Sequence, residues 1–177
     1  MAAVSRWPRL LPRHQRLAAF WCLAGLGIAL PWLLGDQGWF GFHPSRECRV
    51  LHISDGDTLR ASCRGETVRI RLYCIDAPEL DQRPWGEASR DHLRRLTPPT
   101  VRVVEHDRDR YGRLIGELFD GDTSLNLALV AAGWAAVYPQ YCQAPRYYAA
   151  EREARRAGLG IWSEEGDWQR PWVHRRR

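Results

Sequence analysis

From residue 49 onward, apolar and polar positions alternate in a way that predicts extended chain. Residues 49–54 alternate, a turn follows at Asp55-Gly56, and residues 58–63 return as a second strand. A tight Arg64-Gly65 turn leads into a third strand over 66–75, so this region reads as a meander. Within the third strand, the period of two places Arg71 and Tyr73 on one face and Leu72 and Cys74 on the other. The period then changes. Residues 85–96 have helical spacing and stop at Thr97-Pro98-Pro99. Two further short strands are predicted at 101–105 and 113–119. A second helix runs from about 124 to 133, with Asp122 or Ser124 as its cap. A third covers 145–157, with Pro145 in its first turn and Gly158 beyond its end.

Five antiparallel strands with helices at one edge predict an α+β, mainly β, fold: a five-stranded OB-type barrel carrying three helices. The organisation that follows is a barrel domain at 47–163, a linker at 36–46 and an Arg- and Trp-containing tail at 164–177, expected to be loose. Ahead of it, residues 17–35 carry no charge and follow Arg6, Arg9, Arg13 and Arg16. As an N-terminal hydrophobic helix at about 1.5 Å per residue, the stretch would span roughly 28 Å, near the hydrocarbon thickness of a bilayer. It reads as a signal-anchor or as a cleaved signal peptide. Either leaves the arginines in the cytoplasm and exports the rest to a periplasmic or extracellular face, membrane-held through 17–35 if uncleaved.

Charge changes the picture less than its total suggests. The net charge is +5, and every basic residue other than His is Arg. The four leader arginines and the closing run Arg175-Arg176-Arg177 carry that excess, so the intervening domain is close to neutral. Attraction to phosphate therefore depends on where individual arginines sit. The cysteines fit export. Outside the apolar stretch there are four, Cys48, Cys63, Cys74 and Cys142, an even number that suits disulfides in an oxidising compartment. If the first hairpin is symmetric about Asp55-Gly56, Cys48 stands opposite Cys63, leaving Cys74 for Cys142. A four-Cys zinc site is the alternative, against which stands the lack of any C-x₂-C pair.

Candidate chemistry gathers in the meander. The tetrapeptide Asp-Gly-Asp-Thr occurs at 55–58 and again at 120–123, so by itself it is only a good turn. The second copy opens a helix and is assigned no chemistry. The first sits in the same meander as Arg71-Leu-Tyr-Cys-Ile-Asp-Ala-Pro-Glu79. Asp57 and Asp76, from separate strand ends, can offer hard oxygens to one divalent ion, which suits calcium rather than zinc. Residues 107–113 begin like an EF-hand loop, but Tyr111 and Leu118 stand where that loop needs ligands. They are read as a loop presenting Tyr111 and Arg113. Individually each residue has an ordinary explanation: Asp76 as a turn former, Glu79 and Arg113 as a surface ion pair.

Jointly, these residues resemble the staphylococcal nuclease-like (thermonuclease) family. The resemblance rests on Asp55-Gly-Asp-Thr58, residues 71–79, Trp85-Gly-Glu-Ala-Ser89, Asp109-Arg-Tyr-Gly-Arg113, the helix containing Asn126 with Ala-Gly-Trp134, and Gly160-Ile-Trp-Ser163, in the family's order over roughly 48–163. It implies Ca²⁺-dependent cleavage of DNA and RNA. It also implies that Asp57, Asp76 and the main-chain carbonyl of Ala77 hold the ion, and that Arg71, Glu79 and Arg113 are catalytic. Ala77 stands where the best-known members have Thr, which keeps a carbonyl ligand and loses a hydroxyl. Tyr138 and Tyr141, after the second helix, are the implied nucleotide contacts, and Tyr111, presented by the 107–113 loop, is read as a further one. The expected partner is nucleic acid and the expected state a monomer. The competing reading is an OB module that binds single-stranded nucleic acid without hydrolysis; the unbroken set of five charged residues argues for an enzyme.

Overall fold

A computed structural model describes residues 43–176 of the chain. The predicted N-terminal hydrophobic helix and most of the predicted linker lie outside these residues. Strand β1 (Ser45–Ile53) opens inside the span read as linker, and its first residues pair with strand β5 (Thr100–Arg108), Ser45 opposite Val104. Strand β2 (Thr58–Cys63) follows the Asp-Gly turn, and β3 (Glu66–Leu72) follows Arg64-Gly65, both of which take positive φ. A two-residue hairpin loop of that kind matches the right-handed twist of its flanking strands.

The predicted symmetry of the first hairpin holds at Cys48–Cys63, Arg49–Ser62 and Val50–Ala61, and Cys48 is disulfide-bonded to Cys63. It then slips by one: His52 pairs with Arg60 and Ile53 with Leu59, leaving Leu51 bulged and exposed. A bulge increases local twist, which a closing barrel needs. Closure comes from β6 (Leu114–Asp120), antiparallel to β5 and parallel to β3, with Ile70 opposite Leu114 and Arg71 opposite Ile115. The result is a closed five-stranded barrel in the order β3-β2-β1-β5-β6, extended past β6 by the two-residue β7 (Thr123–Ser124). Leu59, Ile70, Val103, Leu114 and Leu118 are fully buried within it.

The single strand predicted for 66–75 is two. Tyr73 donates its amide to the Gly116 carbonyl (2.8 Å), Cys74 turns with φ 70°, and the chain resumes as β4 (Ile75–Asp76). That strand pairs in a separate small sheet with β8 (Ala136–Val137). The period-two pattern continues through the break because both halves are buried, so the pattern does not register it. The Cys74–Cys142 disulfide then ties β4 to the segment after β8.

The three predicted helices are present. Helix α1 (Trp85–Leu96) buries Gly86, Ser89 and Leu93 on one face and ends where the Thr97 hydroxyl donates to the Leu93 carbonyl (2.7 Å). Ser124, rather than Asp122, caps α2 (Leu125–Ala131), its hydroxyl accepting from the Leu127 amide. Asn126 on this helix is completely buried. Its amide donates to the Tyr73 and Gly116 carbonyls and its oxygen accepts from the Leu118 amide, satisfying backbone groups freed where β3 ends. Helix α3 (Pro145–Arg156) carries Tyr147 into the core. Its hydroxyl, the Ser124 hydroxyl and the Arg146 guanidinium all donate to the carboxylate of Glu117 on β6.

The tail expected to be loose is folded. Short 3₁₀ turns at Gly160–Trp162 and Asp167–Gln169 lead into helix α4 (Pro171–His174). Trp168 stacks on Trp85 of α1, with ring centroids 5.6 Å apart, and its indole N–H donates to the Ile161 carbonyl. The Trp168–Trp85 contact joins positions far apart in sequence, so polarity alone gives no sign of it.

The Glu117 cluster carries a pH prediction. Burial opposes its ionisation, but His106 nearby (Nε2 at 3.7 Å), hydrogen bonds from Ser124 and Tyr147, and the Arg146 charge hold it down at about 2 against an ordinary 4.5. A carboxylate held low stabilises the fold fully above its unfolded value and loses that contribution as pH falls through the folded one. The gap is worth about 3 kcal/mol. Glu117→Gln is expected to lower stability by about that amount at pH 6. Denaturant titrations should show the difference from wild type shrinking between pH 4.5 and 2. A difference that stays constant over that range would refute the assignment.

Candidate active site

The register of the meander builds the site. Thr58 on β2 stands opposite Arg71 on β3, and the Asp57 carbonyl accepts from the Leu72 amide (2.8 Å), so Asp57 lies beside the Arg71 side chain. The turn reaches this position only because residue 56 is glycine: a Cβ there would lie 2.1 Å from the Ser89 hydroxyl and 2.6 Å from the Ala77 Cβ. Past the break at Cys74, Asp76 is brought back to the same guanidinium. Arg71 pairs with Asp57 through one terminal nitrogen and with Asp76 through the other. The second Asp57 oxygen accepts from the Ala77 amide (2.6 Å), and the first also accepts from Thr58. All three side chains are buried, and Asp76 is wholly inaccessible.

Glu79 projects from the loop that follows. Its amide donates to the Gln82 side chain, and Gly86 of α1 packs so tightly on its carbonyl that a Cβ would sit 1.9 Å away. The Glu79 carboxylate is bound by Arg175 of the tail at 2.5 Å. Arg175 also donates through its other terminal nitrogen to both Asp76 oxygens, at 2.9 and 3.0 Å. Asp57, Arg71, Asp76, Arg175 and Glu79 thus form one chain of alternating charge. Arg175 is the member that sequence reasoning missed. It looked like one of three terminal arginines, and only Trp172 nearby hinted that the segment packs.

Arg113 reaches the cleft from a separate loop. Asp109 accepts from the Tyr111 and Arg113 amides at 2.9 Å and from the Arg113 side chain at 2.7 Å, which holds the loop that presents both residues. Tyr111 is 65 % exposed and lies under the Arg110 guanidinium. Tyr138 donates its amide to the Cys74 carbonyl and meets Tyr141 edge to face, centroids 4.9 Å apart. These tyrosines, Arg71, Arg113, Asp57, Ala77 and Glu79 line one cleft of about 910 Å³. Asp76 lies beneath its floor. Tyr73 and His106, stacked with centroids 3.8 Å apart, extend the wall; neither was singled out from sequence.

Electrostatics follow from this crowding. Burial lifts the Asp55 carboxyl above its ordinary range against the pull of Arg71, and its oxygen accepts from the Asp57 amide. Burial likewise pushes Asp76 up while Arg71 and Arg175 pull it down. Arg71 is lowered by burial and by the nearby Arg175 and Arg113 charges, with Asp76 acting against them; a guanidinium stays protonated all the same. Arg175 is disfavoured by burial yet raised by Asp76 and Glu79. Among the described residues, no three His, Cys, Asp or Glu side chains converge tightly enough to cage a metal alone. What the site has is two buried carboxylates, Asp57 and Asp76, that already hold two cationic groups beside a main-chain segment, hard oxygens of the kind a divalent cation takes with water or carbonyls added.

Comparison with known proteins agrees with the motifs. Residues 69–164 match the family described as staphylococcal nuclease homologue. The chain is 40% identical over 131 residues to an uncharacterized endonuclease of Escherichia coli O157:H7, covering 73% of this chain and 84% of that protein. It is 34% identical over 171 residues to the micrococcal nuclease of Shigella flexneri, covering 90% and 95%. A second uncharacterized endonuclease, from Haemophilus influenzae, is 36% identical over 130 residues, covering 70% and 72%.

The contact between Gly56 and Ser89 gives a test of how the Asp57 turn is held. Gly56→Ala forces a methyl group into the Ser89 and Ala77 side chains. The expected loss of stability is about 1–3 kcal/mol, read from the denaturant midpoint. A double variant, Gly56→Ala with Ser89→Gly, that loses less stability than the two single losses added together would support the contact; an undamaged Gly56→Ala would disprove it.

Proposed function

Because this chain belongs to the family of staphylococcal nuclease homologues, we propose that it is a Ca²⁺-dependent nuclease hydrolysing phosphodiester bonds of DNA or RNA. The observation that carries this reading is the ion-pair chain Asp57–Arg71–Asp76 at the base of a cleft whose walls hold Glu79, Arg113 and exposed tyrosines. Asp57, Asp76 and the Ala77 carbonyl are the residues that would hold calcium, which when bound supplies charge neutralisation at the scissile phosphate.

The chain's own groups do the rest. Water attack piles negative charge on the non-bridging oxygens. Arg71, held in place by two acids, and Arg113, held by Asp109, offer preset donors to that charge from two sides of the cleft. Glu79 accepts the proton of the attacking water. Tyr111, at 65 % exposure, and Tyr141, at 60 %, offer ring faces to bases, with Tyr138 beside them. Single-stranded substrate suits such a cleft, since its bases are free to stack.

We also place the domain outside the cytoplasm. Support comes from the two disulfides and from the arginine-then-apolar order of the N-terminus.

A nuclease assay on single-stranded DNA tests the reading. Activity is expected with calcium and is expected to vanish on chelation; activity indifferent to a chelator would sink the metal assignment. Glu79→Gln should lower kcat about 100- to 10,000-fold with little change in KM. Binding without any turnover by the wild-type protein would instead favour the non-hydrolytic OB module.

A further inference from the structure

The tail places two side chains on the very groups the proposed chemistry needs. Arg175 donates to both oxygens of Asp76 and to Glu79. Trp172, one turn earlier, stacks on Tyr138 with centroids 5.3 Å apart and rings 11° from parallel, covering a face otherwise open to a base. Neither contact is incidental to a free end. Upstream, Trp168 is stacked on Trp85, and Gln169 donates to the Ile161 and Glu164 carbonyls. His174 lies between Asp81 and Asp167, within 3.4 Å of each, and Gln82 contacts Asp167. Arg175 therefore arrives from an anchored segment, as the end of a strap laid across the acids.

We propose that residues 170–176 form a built-in competitor for the cation site, with Arg175 as the internal cation that a divalent ion must displace and Trp172 as the ring that a base must displace. This rests on the nuclease reading above. The reason is charge. Asp76 already accepts from the Arg71 guanidinium, and a divalent ion added while Arg175 remains would place three cationic groups around one carboxylate. Glu79 meets the same conflict, since a carboxylate already accepting from Arg175 is not free to accept a proton from water. Withdrawal has somewhere to go. Arg175 stands between the main cleft and a second cavity of about 620 Å³ that Leu80, Asp81 and His174 also line. Competition at one site is reciprocal, so whatever tightens calcium loosens the strap.

Calorimetric titration of calcium into the full-length protein tests this without using activity. Arg175→Ala is expected to bind calcium about tenfold more tightly than wild type, and Trp172→Ala, which leaves every acid in place, should shift affinity in the same direction. In wild type, an arginine-selective dicarbonyl reagent read by mass spectrometry should label Arg175 faster as calcium is added, with exposed Arg176 as internal reference. Equal calcium affinity in wild type and both variants, with Arg175 labelling unchanged by the ion, would overturn the strap and leave the nuclease reading standing. No calcium binding by any of the three would remove the calcium assignment and the competition together.

Discussion

The buried guanidinium of Arg71 between Asp57 and Asp76 is the interaction on which the rest of this site depends. A lone charge at that depth would be strongly unfavourable, and removing either acid would leave part of it uncompensated. Each partner comes from a different structural device: Asp57 from a hairpin turn, Arg71 from the barrel strand opposite, Asp76 from a strand in another sheet. The pairing is satisfied only if the hairpin register, the break at Cys74 and the small β4–β8 sheet are all in place. Local electrostatics and global topology are thus the same constraint seen at two scales.

The frame around that constraint holds two buried polar side chains, Asn126 and Glu117, that each gather several hydrogen-bond partners. Asn126 fills the hydrogen-bonding capacity left open where β3 stops, and it does so from a helix, so the helix position and the strand break are coupled. Glu117 plays the matching part for α3, gathering donors from β7 and α3. Cys74–Cys142 closes the circuit by tying the residue of positive φ to the segment that carries Tyr138 and Tyr141. Hydrophobic burial alone would fill the barrel with many side-chain choices. These directed bonds are what fix the end of β3, and therefore the direction from which Asp76 returns.

Much of this was legible in the sequence because it is local or short-range. Hairpin symmetry about Asp55-Gly56 placed Cys48 opposite Cys63, and it fails from Leu51 onward, where a bulge shifts His52 and Ile53 by one. Helix α1 was legible from its spacing and its Thr-Pro-Pro stop, and α2 from its cap. The duplicated Asp-Gly-Asp-Thr is instructive: the copy at 120–123 makes a turn into Ser124 and touches no part of the cleft, whereas the copy at 55–58 is held against Ala77 and α1. What separates them is the neighbour on the next strand, which the four residues do not encode. The turn at Cys74 and the packing of the tail were not legible for the same reason. Both depend on partners 40 or more residues away in sequence, about which alternation and polarity say nothing.

The tail also revises what the charge balance means. Read along the sequence, the closing arginines look like excess positive charge available to attract phosphate, and the domain between the termini looks nearly neutral. In the folded chain Arg175 is a counter-charge: it is bound to Asp76 and Glu79, and without it those acids would face Arg71 alone. The charge of Arg175, which the sequence sets apart from the near-neutral domain, is thus returned by the fold to the acids of the cleft. A nucleic acid approaching this surface meets the arginine only when something else satisfies the carboxylates. If the acids bind a cation as proposed, attraction of the substrate and occupation of that site are linked through one side chain, because the same guanidinium cannot serve the phosphate and the acids at once.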